Sequence, residues 1–448
     1  MLRDGRRSRS GAGTAIDVST RCRCRRIFRY RPLGADDPGG QNVSVRPPRR
    51  AVAMYSSLAG VAYVLAGYPL LAAISARVRP RPVRRTDDTP SVTLIVPCHD
   101  EVDVIATKIE NLLRLDYPSD RLEIVVVDDG STDGTADAVR RALDGVRSNV
   151  RLLERPERAG KAAAINAAIA ESSGDVIALS DATAVWDPGA LRALVQSFGD
   201  EDVGVVSGRM SYGGDGVGRV LDLYWRYEDS IRSWESASGT TVGVNGNIFA
   251  IRRRDAEPLP AGTVNDELTL ALRAAIAGRR IVFDPTAYAA DLPSPTMRDE
   301  TARRSRMTAG RLLSTMGPAR GVWTRPGLAV RFVSHKLLRP FVPVMGGLAT
   351  FAALATLFTT RARPIDRFIA SLLTVGTGSV AVASGLGHLL ERTGRAVPVV
   401  VRGAHLATSS ATASIVGILR ALTGRQRATW TKRPPSAASA LSPQASCS

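Results

Sequence analysis

The sequence predicts an α/β domain built on a mostly parallel sheet and flanked by membrane-spanning helices. Three observations predict it. Two strand–loop–helix units follow one another, TLIVPCHDEVDVIATKIENLL (Thr93–Leu113) and LEIVVVDDGSTDGTADAVRRAL (Leu122–Leu143). Each opens with a β-branched run that reads as a buried parallel strand, then passes through an acidic loop into an amphipathic helix. A further apolar strand, Val176–Ser180, again ends in an acidic loop. Finally, apolar runs long enough to cross a bilayer stand on both sides of this domain.

In chain order, residues 1–53 form a basic extension rich in Arg, Gly, Pro and Ser. They have no apolar period and read as disordered. No apolar segment with a cleavage site follows promptly, which excludes a signal peptide. Residues 54–76 are the first predicted membrane helix. Arg77, Arg79, Arg81, Arg84 and Arg85 follow it and place the downstream domain in the cytoplasm of a multi-pass plasma-membrane protein. The basic residues 1–50 would then have to cross the membrane, so translation is expected to start near Met54; amino-terminal sequencing that found Met1-derived peptides would overturn this. The catalytic-size domain spans residues 90–324. An interfacial amphipathic helix is expected over 328–337, in the text VRFVSHKLLR that begins at Val330. The membrane region 338–422 holds three apolar stretches, 338–359, 368–390 and 397–422, rich in small residues suited to close helix packing. Three spans would put the basic Gly424–Pro434 outside, against the positive-inside rule, so one stretch is expected to lie in the interface. The last, interrupted by Arg402 and His405, is the weakest span. Residues 423–448 form a basic, disordered tail.

The chain of 448 residues carries a formal net charge of +18. Much of this charge lies in the two tails and beside the apolar stretches, where it suits anionic lipid. Nucleic-acid binding is excluded as the explanation: there is no zinc-finger spacing, no helix-turn-helix and no aromatic stripe, and aromatic residues make up 5%. Four cysteines give no disulfide framework, the lone Cys22-x-Cys24 has no partner pair for a metal, and Cys98 in the first loop fits a reducing cytoplasm.

The chemistry sits at strand ends and helix starts. Asp128 and Asp129 directly follow a buried strand, where adjacent carboxylates are costly without partners; they are expected to accept hydrogen bonds from a nucleobase and ribose. Ser131, Thr132 or Asp133 caps the helix that follows. Gly160-Lys161 opens another helix with Asn166 five residues on, a cation and free amides that suit a diphosphate. Asp181-Ala182-Thr183 follows the Val176–Ser180 strand, and Val264-Asn265-Asp266-Glu267 opens a helix with two acids. Arg303 and Arg306 share one side of a later helix.

In this order the motifs resemble the family 2 glycosyltransferases of GT-A fold, in particular membrane-bound bacterial members related to processive polysaccharide synthases, from about Tyr55 to Trp430. The family's Pro-x-x-Asn-Glu loop corresponds to Pro97–Glu101, with Asp100 where Asn is usual. The resemblance implies a nucleoside site at Pro97, Glu101, Asp128 and Asp129, and Lys161 and Asn166 beside the nucleotide. It implies Mg2+ or Mn2+ at Asp181, although Thr183 replaces the second carboxylate of the family's Asp-x-Asp. Glu267 is by position the catalytic base, with Asp266 the competing choice. Arg303 and Arg306 fall where processive members carry Gln-x-x-Arg-Trp, with Met307 in place of the tryptophan, and would clamp the departing diphosphate. The implied function is inverting transfer of a sugar from a nucleoside diphosphate, UDP by the resemblance of its paired acids, to a lipid-linked or glycan acceptor at the cytoplasmic face. Two rivals stand beside it: a nucleotidyltransferase, which needs a glycine- and arginine-rich loop absent from Pro97–Glu101, and a decayed transferase-like subunit of a polysaccharide assembly or export system.

Overall fold

The computed structural model describes residues 49–145, 149–212, 217–291, 297–360 and 362–425. Expectations for residues 1–48 and 426–448, including the Cys22/Cys24 pair, lie outside the described residues.

The chain begins with α1 (Arg49–Ala62), which passes through a π turn into α2 (Tyr68–Val78) as one apolar rod. Helix thus starts at Arg49, inside the stretch read as a disordered extension. The sheet domain follows: β1 (Val92–Cys98), α3 (Ile105–Leu113), β2 (Leu122–Asp129), α4 (Thr135–Leu143), β3 (Val150–Arg155), α5 (Lys161–Ala170), β4 (Val176–Leu179), β5 (Val185–Trp186), α6 (Ala190–Gln196), β6 (Val203–Tyr212), α7 (Val217–Ala237), β7 (Phe249–Arg252), α8 (Asp266–Ile276), β8 (Arg280–Asp291) and α9 (Met297–Met316). The remaining helices are α10 (Pro326–Phe332), α11 (Val342–Leu357), α12 (Pro364–Arg392) and α13 (Val399–Leu422).

The strands form one sheet in the order β3-β2-β1-β4-β7-β6-β8-β5. β3, β2, β1 and β4 pair in parallel, β7 runs antiparallel between β4 and β6, and β6 pairs in parallel with β8. Side-chain alternation divides the core between the two faces. Leu94, Val96, Ile124 and Val126 pack with α3 and α6, whereas Ile95, Val125 and Val127 pack with α5 and α8. Burial on both faces explains the nearly continuous apolar text of β1 and β2. The β6–β8 register jumps between Gly208 and Arg209, from Asp284 to Tyr288, at the point where Pro285 cannot donate to the ladder. That irregularity turns the ends of β6 and β8, including Met210 and Tyr212, toward the strand-end cavity.

The helix after β2 starts at Thr135, later than the expected cap. Asp133 accepts from the Thr135 amide at 3.0 Å, while Gly134 takes a left-handed φ of 90°. Ser131 instead bonds back to Asp128.

Among the described residues three helical segments are long and apolar enough to cross a membrane: Arg49–Val78, Pro326–Leu357 and Pro364–Arg392. α1, α11 and α12 meet through Met54, Ala352, Ala353 and Ala370. The 328–337 segment is helical and buries Phe332 and His335 against the rest of the chain. α13 is seated on α9: Ala421 packs with Ala309 and Leu312, and a Cβ on Gly417 would lie 2.6 Å from the Ser305 carbonyl oxygen. Small residues on α13 permit that approach.

Candidate active site

The parallel half of the sheet delivers its loops to one edge. Gly130 turns the chain after β2 with a φ of 66°, and a Cβ there would sit 2.8 Å from the Arg158 nitrogen, so only glycine lets the loop before α5 close over it. Asp129, fully buried, ties that loop down. Its carboxylate accepts from the amides of Ala159 at 3.0 Å and Gly160 at 2.7 Å, and from Arg155 at 3.2 Å. Asp128 accepts from the amide and hydroxyl of Ser131. Both acids have partners of their own within the chain. Asp129 thereby fixes the loop that presents Lys161, and Asp128 fixes the turn after β2. Asn166 also faces inward, exchanging two hydrogen bonds with the Leu259 backbone at 2.8 and 2.9 Å.

Asp100 has a φ of 56°, a conformation that Asn and Asp tolerate best among residues with a side chain. Its carboxylate accepts from the Thr132 amide at 2.9 Å and its own amide donates to Ser131, joining the loops after β1 and β2.

A cavity of about 1010 Å³ opens at these strand ends and is lined by Pro97, Glu101, Lys161, Asp181, Asp266 and Glu267, with Arg303 and Arg306 also on its wall. Lys161 organises the centre: its ammonium lies 2.7 Å from Asp181 and 3.3 Å from Asp266. Burial would depress the lysine, but Asp181, Asp266 and Glu267 outweigh it and raise its pKa. Glu267 moves the other way from an ordinary acid. Burial first, then the Asp266 carboxylate, pushes it up to about 8 against the pull of Lys161. Gly246 makes room for it, since a Cβ there would lie 3.2 Å from the Glu267 carboxyl carbon.

Arg303 is held by Glu300 through two bonds of 3.0 Å. Arg306 has no hydrogen-bond or ion-pair partner among the described residues. Burial lowers its pKa, the Arg303 charge adding to this and Asp181, Glu267 and Asp266 opposing it. Among the described residues no group of three or more His, Cys, Asp or Glu side chains is placed to hold a metal ion. The donor set at Asp181, one carboxylate 36% exposed, fits a divalent ion only when a diphosphate supplies further oxygens.

With this geometry in place, known proteins can be set beside the chain. The model for glycosyl transferase family 2 matches residues 93–258, and that for glycosyl transferase family group 2 matches residues 176–382. The chain thus carries a glycosyl transferase family 2 domain over residues 93–258, and the two matches together run to residue 382. It is 30% identical over 234 residues to the probable glycosyltransferase YdaM of Bacillus subtilis, covering 50% of this chain and 56% of that protein. It is 31% identical over 196 residues to the beta-monoglucosyldiacylglycerol synthase of Synechocystis, covering 41% of this chain and 40% of that one. The chain spans about half the length of the curated relatives it matches. Its fold resembles that of the mannosyltransferase PcManGT from Pyrobaculum calidifontis, with a TM-score of 0.63, 24% identity, and coverage of 83% of this chain and 99% of that one.

Two parts of this family 2 site escape the sequence. Lys108, 2% exposed, reaches under the Asp181 loop and donates to the Ser180 hydroxyl at 2.7 Å and the Ala184 carbonyl at 2.5 Å. Burial pulls its pKa down to about 7, with Asp181 and Asp291 opposing. A lone lysine in an amphipathic helix carries no signal of this. Arg304 and Arg311 are the second omission, and they do carry one: seven residues apart on α9, they share a helix face.

Proposed function

We propose that this chain is an inverting glycosyltransferase that moves a sugar from a nucleoside diphosphate sugar to an acceptor at the membrane surface, with UDP as carrier by resemblance and a lipid-linked or glycan acceptor. The observation that carries the reading is the convergence, on one cavity wall, of a cation bridging two carboxylates and a third carboxylate with a raised pKa.

Each residue has a task in that chemistry. Pro97 and Glu101 line the nucleoside end of the cavity. Lys161 and Arg306 place positive charge where the diphosphate departs. Mg2+ or Mn2+ would be held by Asp181 together with diphosphate oxygens and would supply further charge neutralisation there. Glu267, with a pKa near the working pH, takes the proton of an acceptor hydroxyl as its oxygen attacks the anomeric carbon from the face opposite the diphosphate. Asp266 is held by Lys161 at 3.3 Å, which leaves Glu267 the better base.

The membrane helices support an acceptor at the bilayer. The cavity continues past Glu267 to Leu65 of the first apolar rod, Val342 of α11, and Ala407, Ser410, Ala411 and Ser414 of α13. The Synechocystis relative bears the name of a lipid glucosylating enzyme, which favours the same placement. The catalytic domain would lie on the cytoplasmic side, where the arginines after the first rod belong.

The test is turnover of a panel of sugar nucleotides with Mn2+ by the purified full chain. Wild type should release nucleoside diphosphate, and Glu267→Gln should lower transfer by about 10²–10⁴-fold, the usual worth of a general base. Transfer that survives the substitution would remove Glu267 from the role.

A further inference from the structure

Beyond Glu267 the cavity wall changes character. It is made of guanidinium groups lying over aromatic rings: Arg232 is 5.0 Å from the Trp225 ring centre, Arg303 5.7 Å from Tyr212, Arg304 5.5 Å from Tyr224, and Arg339 5.2 Å from Tyr227. A cation over a ring occupies a face on which a sugar would stack. Met307 adds no aromatic surface. This wall is therefore a poor bed for a neutral glycan and a good one for an anion.

Most of these cations have carboxylate partners. Arg303 and Arg304 share Glu300, Lys336 and Arg339 share Glu228, and Arg232 lies 3.5 Å from Asp229. Arg311 differs. Its guanidinium donates to the Lys336 carbonyl at 3.2 Å and, among the described residues, it has no carboxylate partner. A second observation points the same way. The Trp225 Nε1–H and the Arg232 Nε–H, buried groups on this wall that can only donate, have no acceptor among the described residues, and the Asp229 carboxylate 3.5 Å from Arg232 makes no hydrogen bond to it. Arg232 is only 2% exposed, so water does not readily answer its need. Unanswered donors beside an unpaired guanidinium call for a ligand rich in acceptor oxygens and negative charge.

The far side of the cavity says where that ligand resides. On α13 the row Ala407, Ser410, Ala411, Ser414 faces the cavity, and the exposed apolar row Ile415, Leu419, Leu422 runs beside it. Leu65 and Val342 bring two more apolar helices to the rim. The opening thus joins a cationic wall to a surface suited to acyl chains.

We propose that this half of the cavity binds the phosphate of a membrane lipid, against Arg311, Trp225 and Arg232, and that this phosphate-bearing lipid is the acceptor. The proposal rests on the transferase reading above. In the step, a lipid hydroxyl oxygen bonds to the anomeric carbon, the bond from that carbon to the diphosphate breaks, and the hydroxyl proton passes to Glu267.

Binding decides the matter without turnover. The detergent-solubilised full chain is presented with phosphatidylglycerol and with uncharged diacylglycerol of the same acyl chains, and bound lipid is counted by native mass spectrometry. Wild type should prefer the phosphate lipid by about tenfold, the worth of one or two charge-assisted hydrogen bonds. Arg311→Gln should remove most of that preference and Arg311→Lys retain part of it. Arg77→Gln, beside the first membrane rod, should leave it intact and so separate this site from general attraction to anionic lipid. Equal binding of both lipids, or a preference untouched by Arg311→Gln, would overturn the proposal. So would displacement of the lipid by millimolar inorganic phosphate, which would assign the site to the free ion. Nucleotide-sugar binding by wild type is measured in parallel. Its absence counts against the donor reading alone, and the lipid preference still stands or falls by itself.

Discussion

In the roles proposed for them, Glu267 and Lys161 set the pH behaviour at the scale of single residues. A base must be unprotonated to act, and the Glu267 carboxyl is pushed up to about 8. Its active fraction should therefore fall about tenfold for each pH unit below that value, so kcat/KM should climb with pH and level off above about 8. Lys161, raised above its ordinary 10.5, stays charged across this range and does not cut the plateau. Lys161→Met should move the rising limb to higher pH, because the lysine is what holds the Glu267 pKa down. A pH–rate profile with a flat response between 6 and 8 would contradict this electrostatic account. Asp128 and Asp129 teach a different lesson. Their position at the end of a buried strand marks carboxylates that need partners, and within the chain those are Ser131 for Asp128 and Arg155 and the amides before Lys161 for Asp129. Sequence exposes the demand for hydrogen bonds and leaves open who answers it.

Among the elements, α13 contributes most that is unexpected. It is seated on α9 at Gly417, where a Cβ would lie 2.7 Å from the Thr308 Cβ as well as close to the Ser305 carbonyl. Gly417→Val should force the two helices apart, at a cost of about 1–3 kcal/mol for overpacking. Since α13 lines the part of the cavity proposed for the acceptor, the substitution should raise the acceptor KM several-fold while the donor KM changes little. Equal effects on both would remove α13 from the acceptor wall. The strand–loop–helix units β1–α3 and β2–α4 were readable because both sheet faces are covered and the middle of each strand, Leu94–Val96 and Ile124–Val127, is continuously apolar for that reason. The start of α4 was less readable, because Asp133 bonds to Thr135 while Ser131 is drawn back to Asp128.

For the whole molecule, the seating of α13 on the catalytic domain bears on topology. Among the described residues three segments have the length and apolarity of spans, Arg49–Val78, Pro326–Leu357 and Pro364–Arg392. Were the arginines after the first rod on the cytoplasmic side, as proposed, three such spans would return the chain to that side before α13. The positive-inside conflict noted in the sequence disappears when the last stretch is an interfacial helix rather than a span. In a background with Cys22, Cys24, Cys98 and Cys447 replaced, Thr360→Cys should react with an impermeant maleimide in intact cells. Thr423→Cys should react only in inside-out vesicles. Labelling of Thr423→Cys in intact cells would reverse this arrangement.

The sequence by itself determined the α/β class, the order of the catalytic motifs and the helices apolar enough to enter a bilayer, because alternation, helix starts and long apolar runs are local properties of the chain. Only the tertiary structure decided that Lys161 bridges Asp181 and Asp266, that Lys108 supports the Asp181 loop, and that α13 closes the cavity beside Arg311. Those contacts join residues 20 to more than 100 positions apart, and their partners are chosen by sheet order and helix packing, for which no local spacing in the sequence is a record.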